Sequence, residues 1–113
     1  MAPVSYIEYV DTIGRYVILD EAGFLIDPLD WGRSFTEQRA LQANIELDEK
    51  HWLLIEIIRD KYLRLGALPL MHIVCKAAGL DKRDLKQQFG SCLNLWKIAG
   101  LPDPGEEAKA YMN

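Results

Sequence analysis

The chain is sparing with the residues that small proteins use for chemistry. It has two cysteines, Cys75 and Cys92, and two histidines, His51 and His72, in 113 residues. The histidines lie far apart, with no cysteine or carboxylate at metal-ligand spacing, so no metal is expected. No glycine-rich phosphate loop is present, and no cofactor is expected. Apolar runs are short: Trp52 to Ile55 is far below what a membrane span needs, so no membrane association is expected. A basic-then-apolar leader is also missing, because Glu8 and Asp11 interrupt the first residues. These absences point to a cytoplasmic chain whose thiols stay reduced and unpaired.

What is present suffices for one domain, spanning residues 1–113. Half of the residues are hydrophobic, enough for a chain of this length to build its own core. The net charge of −4 argues against a general binder of nucleic acid. Its sign is uneven, however. Residues 1–48 hold three basic and nine acidic side chains, whereas residues 50–97 hold nine basic and four acidic ones.

The first third reads as strand and turn. Tyr6 to Val10 and Tyr16 to Leu19 are β-branched and aromatic, and Asp20-Glu21-Ala22-Gly23 is a turn signal before Phe24-Leu25-Ile26. A hairpin from Arg15 to Ile26 is expected, stopped by Asp27-Pro28. Helical patterning follows. Ser34 with Glu37 reads as a capping box opening a helix to Asn44. Asp48 caps a long helix from Glu49 to Leu65, ended by Gly66, with Trp52, Ile55, Ile58 and Tyr62 on one face and Leu54, Ile57 and Leu65 widening it. Pro69 suits the first turn of a helix to Ala78. Asp81 caps Lys82 to Phe89, and Ser91 caps Cys92 to Ala99, with Gly79, Gly90 and Gly100 as stops. Gly100 and the prolines after it lead into an extended arm. The expected fold is mainly α: a small orthogonal helical bundle with an N-terminal β-hairpin, a helix-turn-helix-like pair and an extended C-terminal arm.

Two local features bear on function. Residues 69–89 read as a helix-turn-helix, with Ile73, Val74 and Ala77 inside and Lys82, Arg83 and Lys86 as candidate DNA contacts. The same pattern is an ordinary pair of amphipathic helices, and Asp81 and Asp84 weaken its field. Cys75, among apolar neighbours, reads as a small core hydrophobe. Cys92 opens a helix, where a thiolate is favoured, and is the candidate reactive thiol. Trp31, Trp52 and Trp96 read as core or interface anchors.

Four strings carry a resemblance. They are Asp20-Glu21-Ala22-Gly23-Phe24-Leu25 followed by Trp31, Leu47-Asp48-Glu49-Lys50-His51-Trp52, Ile58-Arg59-Asp60-Lys61-Tyr62-Leu63, and Lys97-Ile98-Ala99-Gly100-Leu101-Pro102-Asp103-Pro104. In this order they resemble the DsrC/TusE family of small sulfur-relay proteins, also named gamma subunit of dissimilatory sulfite reductase. The similarity covers residues 14–104, leaving 1–13 as an N-terminal extension and 105–113 as a tail. The resemblance implies a helical fold with an N-terminal hairpin. It also implies an arm whose penultimate cysteine takes up sulfur as a persulfide or trisulfide and delivers it to sulfite reductase or a tRNA-thiolation relay. The sulfite-reductase type adds a second cysteine just before the string that begins at Lys97.

Aligned through that string, the two cysteine positions hold Trp96 and Glu107. The family's proline- and lysine-containing loop is replaced by the shorter Phe89-Gly90-Ser91-Cys92-Leu93. A carboxylate cannot be persulfidated, and an indole cannot join a disulfide. The resemblance thus implies a sulfur-metabolism protein that has lost its sulfur-carrying cysteines. It would act as a non-catalytic binding or regulatory partner of a sulfite reductase-like or sulfur-relay component. Two alternatives stand beside it: sulfur transfer through a persulfide on Cys92, and DNA-binding regulation through Lys82, Arg83 and Lys86.

Overall fold

The computed structural model describes residues 7–10, 16–66 and 69–112, the first of these stretches in backbone only. Two short strands come first. β1 (Ile7–Val10) pairs antiparallel with β2 (Tyr16–Leu19), placing Ile7 opposite Leu19 and Val10 opposite Tyr16. The alternation of β2 buries Val17 and Leu19 and turns Tyr16 and Ile18 outward. The hairpin expected from Arg15, itself outside the described residues, to Ile26 is present in minimal form. The Asp20 N–H donates to the Phe24 carbonyl and the Ile26 N–H to the Ile18 carbonyl, while β2 takes its regular ladder from β1. The return segment adds one isolated bridge, Leu19 with Leu25. The turn explains its brevity. The Asp20 carboxylate accepts the N–H groups of Ala22 and Phe24 at 2.9 and 3.0 Å, satisfying donors locally.

After a single 3-10 turn at Pro28–Asp30, six helices follow: α1 (Arg33–Gln42), α2 (Glu49–Leu65), α3 (Met71–Ala77), α4 (Lys82–Phe89), α5 (Cys92–Ile98) and α6 (Glu106–Met112). Three starts follow the sequence signals. Asp48 accepts from the His51 N–H at 2.9 Å, Asp81 from Asp84 at 2.8 Å, and Ser91 from Asn94 at 3.1 Å. His51 completes its box by accepting the Asp48 N–H at Nδ1.

Other expectations shift. α1 starts at Arg33 behind Gly32, so Ser34 lies inside the helix rather than capping it. Pro69 precedes the Leu70 cap of α3 instead of occupying its first turn. Leu65 is exposed, and so are Ile73 and Ala77; α3 buries Val74 and Cys75, and Ala78 just beyond it is buried as well. The largest correction concerns the C-terminus. Only residues 101–105 lack regular structure; beyond them α6 forms and buries Met112. Its local reason is Lys109, which ties Asp103 to Glu106 across the helix start at 2.9 and 3.2 Å.

The core divides in two. The larger cluster joins Leu54, Ile55 and Ile58 of α2 to Val74, Leu85, Leu95 and Trp96. The smaller one holds Val17, Leu19, Leu25 and Phe35 beneath the strands. Trp31 packs against both. Burying one such large side chain is worth about 1.5–3 kcal/mol, so these clusters dominate the stabilisation.

Candidate functional site

The string from Trp96 to Pro102 is built into the centre of the molecule. Arg59, in the middle of α2, is only 7% exposed. Its guanidinium donates to the carbonyls of Ala99 and Gly100 at 3.0 and 2.8 Å and to that of Pro28 at 2.7 Å. It also lies over the Trp31 ring, 4.1 Å from the centroid. Burial pulls Arg59 down to about 10, so it remains a cation at neutral pH. Three carbonyl dipoles and an aromatic face take the place of a carboxylate partner.

A second set of bonds runs alongside. The Trp31 indole N–H donates to Thr36 Oγ1 at 2.8 Å, and the Thr36 hydroxyl donates to the Ile98 carbonyl at 2.8 Å. Trp96, fully buried, packs edge-on against Tyr62 and donates from Nε1 to the Pro102 carbonyl at 2.6 Å. Gly100 sits at φ +74°, and a Cβ there would meet Trp31 Cδ1 at 2.1 Å. This position has room only for glycine. Every backbone carbonyl from Ile98 to Gly100 is thus claimed by a side chain, as is that of Pro102.

The tip of the arm is held differently. Lys109 pairs with Asp103 and Glu106, and its Nζ stands 5.4 Å from the centre of the Phe24 ring. Lys97 approaches the same ring at 5.1 Å. Burial works to raise the Asp103 carboxyl, but the Lys109 ammonium and the Gly105 N–H outweigh it and hold the group below the ordinary aspartate value. Glu107 is exposed on the first turn of α6.

The two thiols lie in α3 and at the start of α5. Cys75 is buried, and burial pushes it up to about 11. Cys92 is half-buried at the start of α5. Burial raises its pKa above the ordinary thiol value, and nearby Lys82 only partly offsets this. The expectation of a thiolate at this helix start is accordingly corrected: desolvation outweighs the helix end. Lys82, Arg83 and Lys86 are exposed on α4. Lys82 and Lys86 line a cavity with Cys92, and Arg83 does not.

Of the site residues anticipated from sequence, the structure brings Trp96 and Lys97 to Pro102 together at the root. It leaves Glu107 apart on the surface. Arg59 and Thr36 were missed. Arg59 follows Ile55 by four residues, which places it on the buried face of α2, and that spacing was the available signal.

These features define a class: a small helical domain with a short β-ladder, whose C-terminal segment is rooted in the core beside its longest helix. A family model described as DsrC like protein matches residues 11–106, and the chain belongs to that family. It is 30% identical to Sulfurtransferase TusE of Sodalis glossinidius, over 80% of this chain and 93% of that one. It is 29% identical to Sulfurtransferase TusE of Pectobacterium atrosepticum, over 80% and 92%. The oxidized gamma-subunit of the dissimilatory sulfite reductase (DsrC) from Archaeoglobus fulgidus superposes with a TM-score of 0.77 at 27% identity, covering 88% of this chain and 98% of that one. The Pyrobaculum aerophilum DsrC/gamma subunit gives 0.72 at 32% identity, covering 88% and 93%.

Proposed function

We propose that this chain is a DsrC/TusE-type binding partner in sulfur metabolism that no longer carries sulfur on its arm. The relatives are a sulfurtransferase and a subunit of a sulfite reductase, which supports a protein partner of the sulfite reductase-like or sulfur-relay kind. The observation that carries the non-carrier reading is the pair of residues at the two expected sulfur positions. Trp96 is an indole sealed in the core and bonded to Pro102, and Glu107 is a surface carboxylate. Neither is a sulfur nucleophile.

The competing reading moves sulfur transfer to Cys92, and the proximity of Lys82 favours it. Burial of the thiol opposes it, because the nucleophile is the thiolate. Intact-mass measurement after incubation with a sulfurtransferase preloaded as its cysteine persulfide, which hands its outer sulfur to an acceptor thiolate and is left as a thiol, separates the two. No gain of a sulfur atom is expected; one added sulfur mapped to Cys92 would overturn the non-carrier reading. Alkylation of Cys92 against pH adds a second readout, with slow modification at neutral pH and acceleration only above the ordinary thiol range.

A further inference from the structure

Between α4, the turn at residues 90–92 and the last turn of α6 lies an open cavity of about 190 Å³. Leu85, Met112 and Tyr111 give it an apolar wall, and Lys82, Lys86 and Cys92 stand around it. The lysines are one helical turn apart on the same face of α4. Both are exposed, and neither is in an ion pair among the described residues. The acidic residues of that helix end, Asp81 and Asp84, are engaged in each other's capping bonds. Ser91 accepts the Asn94 N–H, which leaves its own hydroxyl proton free to donate.

The geometry points to this cavity as a binding site for a small organic anion. A carboxylate or sulfonate head lies between Lys82 and Lys86, and an apolar body lies against Leu85 and Met112. A mainly apolar wall with a few convergent polar groups is the usual make-up of a small-molecule site. Two unpaired ammonium groups one turn apart repel each other, and an anion placed between them relieves that repulsion. The apolar wall favours an organic ligand over a bare oxyanion, which would leave the exposed Tyr111 ring uncovered. A concave site also suits a small ligand better than a duplex, which needs a stripe of charge. Because α6 supplies Met112 and Tyr111, an occupied site stabilises the docked α6 by mass action. The inference stands apart from the partner reading above and can fail without it.

The test is a titration of the full chain with benzenesulfonate, followed by methyl and amide NMR shifts. Saturable shifts at Leu85, Met112 and Cys92 are expected. The Lys82→Ala/Lys86→Ala double variant should bind at least about tenfold more weakly. Neutral benzenesulfonamide should show a similar loss, and Lys61→Ala/Lys76→Ala should bind as the parent does. Saturating benzenesulfonate should also slow alkylation of Cys92. The proposal is overturned by equal binding of the neutral amide, by retained affinity in the double variant, or by an equal loss in the control variant. Absence of saturable shifts at these residues, or unslowed alkylation, overturns it as well.

Discussion

Residues 96–102 and residues 106–112 belong to one continuous segment, yet buried hydrogen bonds hold the first while exposed ion pairs around a single buried methionine hold the second. At the root, Arg59, Thr36 and Trp96 each reach a backbone carbonyl out of solvent. At the tip, Lys109 bridges two surface carboxylates and Met112 fills a gap in the core. Buried bonds to a charged group are costly to lose, whereas exposed pairs are screened by water and salt. One segment therefore combines a fixed base with a readily detached end.

Three changes would break or sharpen this contrast. The largest effect is expected from Arg59→Met, which leaves the carbonyls of Ala99, Gly100 and Pro28 without their donor. It should lower global stability by on the order of 3–5 kcal/mol, read as a fall in the urea midpoint. A loss below about 1 kcal/mol would mean that the root is held by packing alone. Met112→Ala should act locally. A loss of about 2 kcal/mol would speed amide exchange throughout α6 by about thirtyfold and leave the urea midpoint nearly unchanged. An equal loss in both measurements would show that tip and root unfold as one unit.

The smallest effect is expected from Asp103→Asn, at most about 1 kcal/mol. Its signature is in the pH dependence. The folded Asp103 carboxyl titrates below its unfolded value, so its contribution is present above the ordinary aspartate range. That contribution is lost as the pH falls through the depressed folded value. Helical carbon shifts of residues 106–112 should decline on that acid side in the parent chain and stay flat in the variant. A matching decline in the variant would remove Asp103 from the account.

The same contrast governs how much was legible in the sequence. Caps at Asp48, Asp81 and Ser91 and stops at Gly66, Gly90 and Gly100 are local chemistry, and the helices between them follow closely. The string at Lys97 to Pro104 identified the family, because close approach of Trp31 to Gly100 leaves a local trace in residue type. Arg59 was less visible, since its partners are backbone carbonyls 31 to 41 residues away, which no side-chain pattern announces. The ladder of β1 on β2 was hidden for a related reason: the turn at Asp20 advertises a hairpin on its own side only. α6 was read as extended because Pro102 and Pro104 dominate the local signal. The tie from Lys109 back to Asp103 spans six residues and the burial of Met112 is tertiary, and together they decide the outcome.

Trp96 also gives the molecule an optical reporter. Of the three tryptophans it alone is fully buried, and Trp31 and Trp52 are partly exposed. Its indole N–H is bonded to Pro102, at the point where the arm leaves the core. Departure of the root from its seat must break that bond and admit water to the ring. Emission from Trp96 then shifts to the red. The wavelength thus reports the seating of the root without any added label.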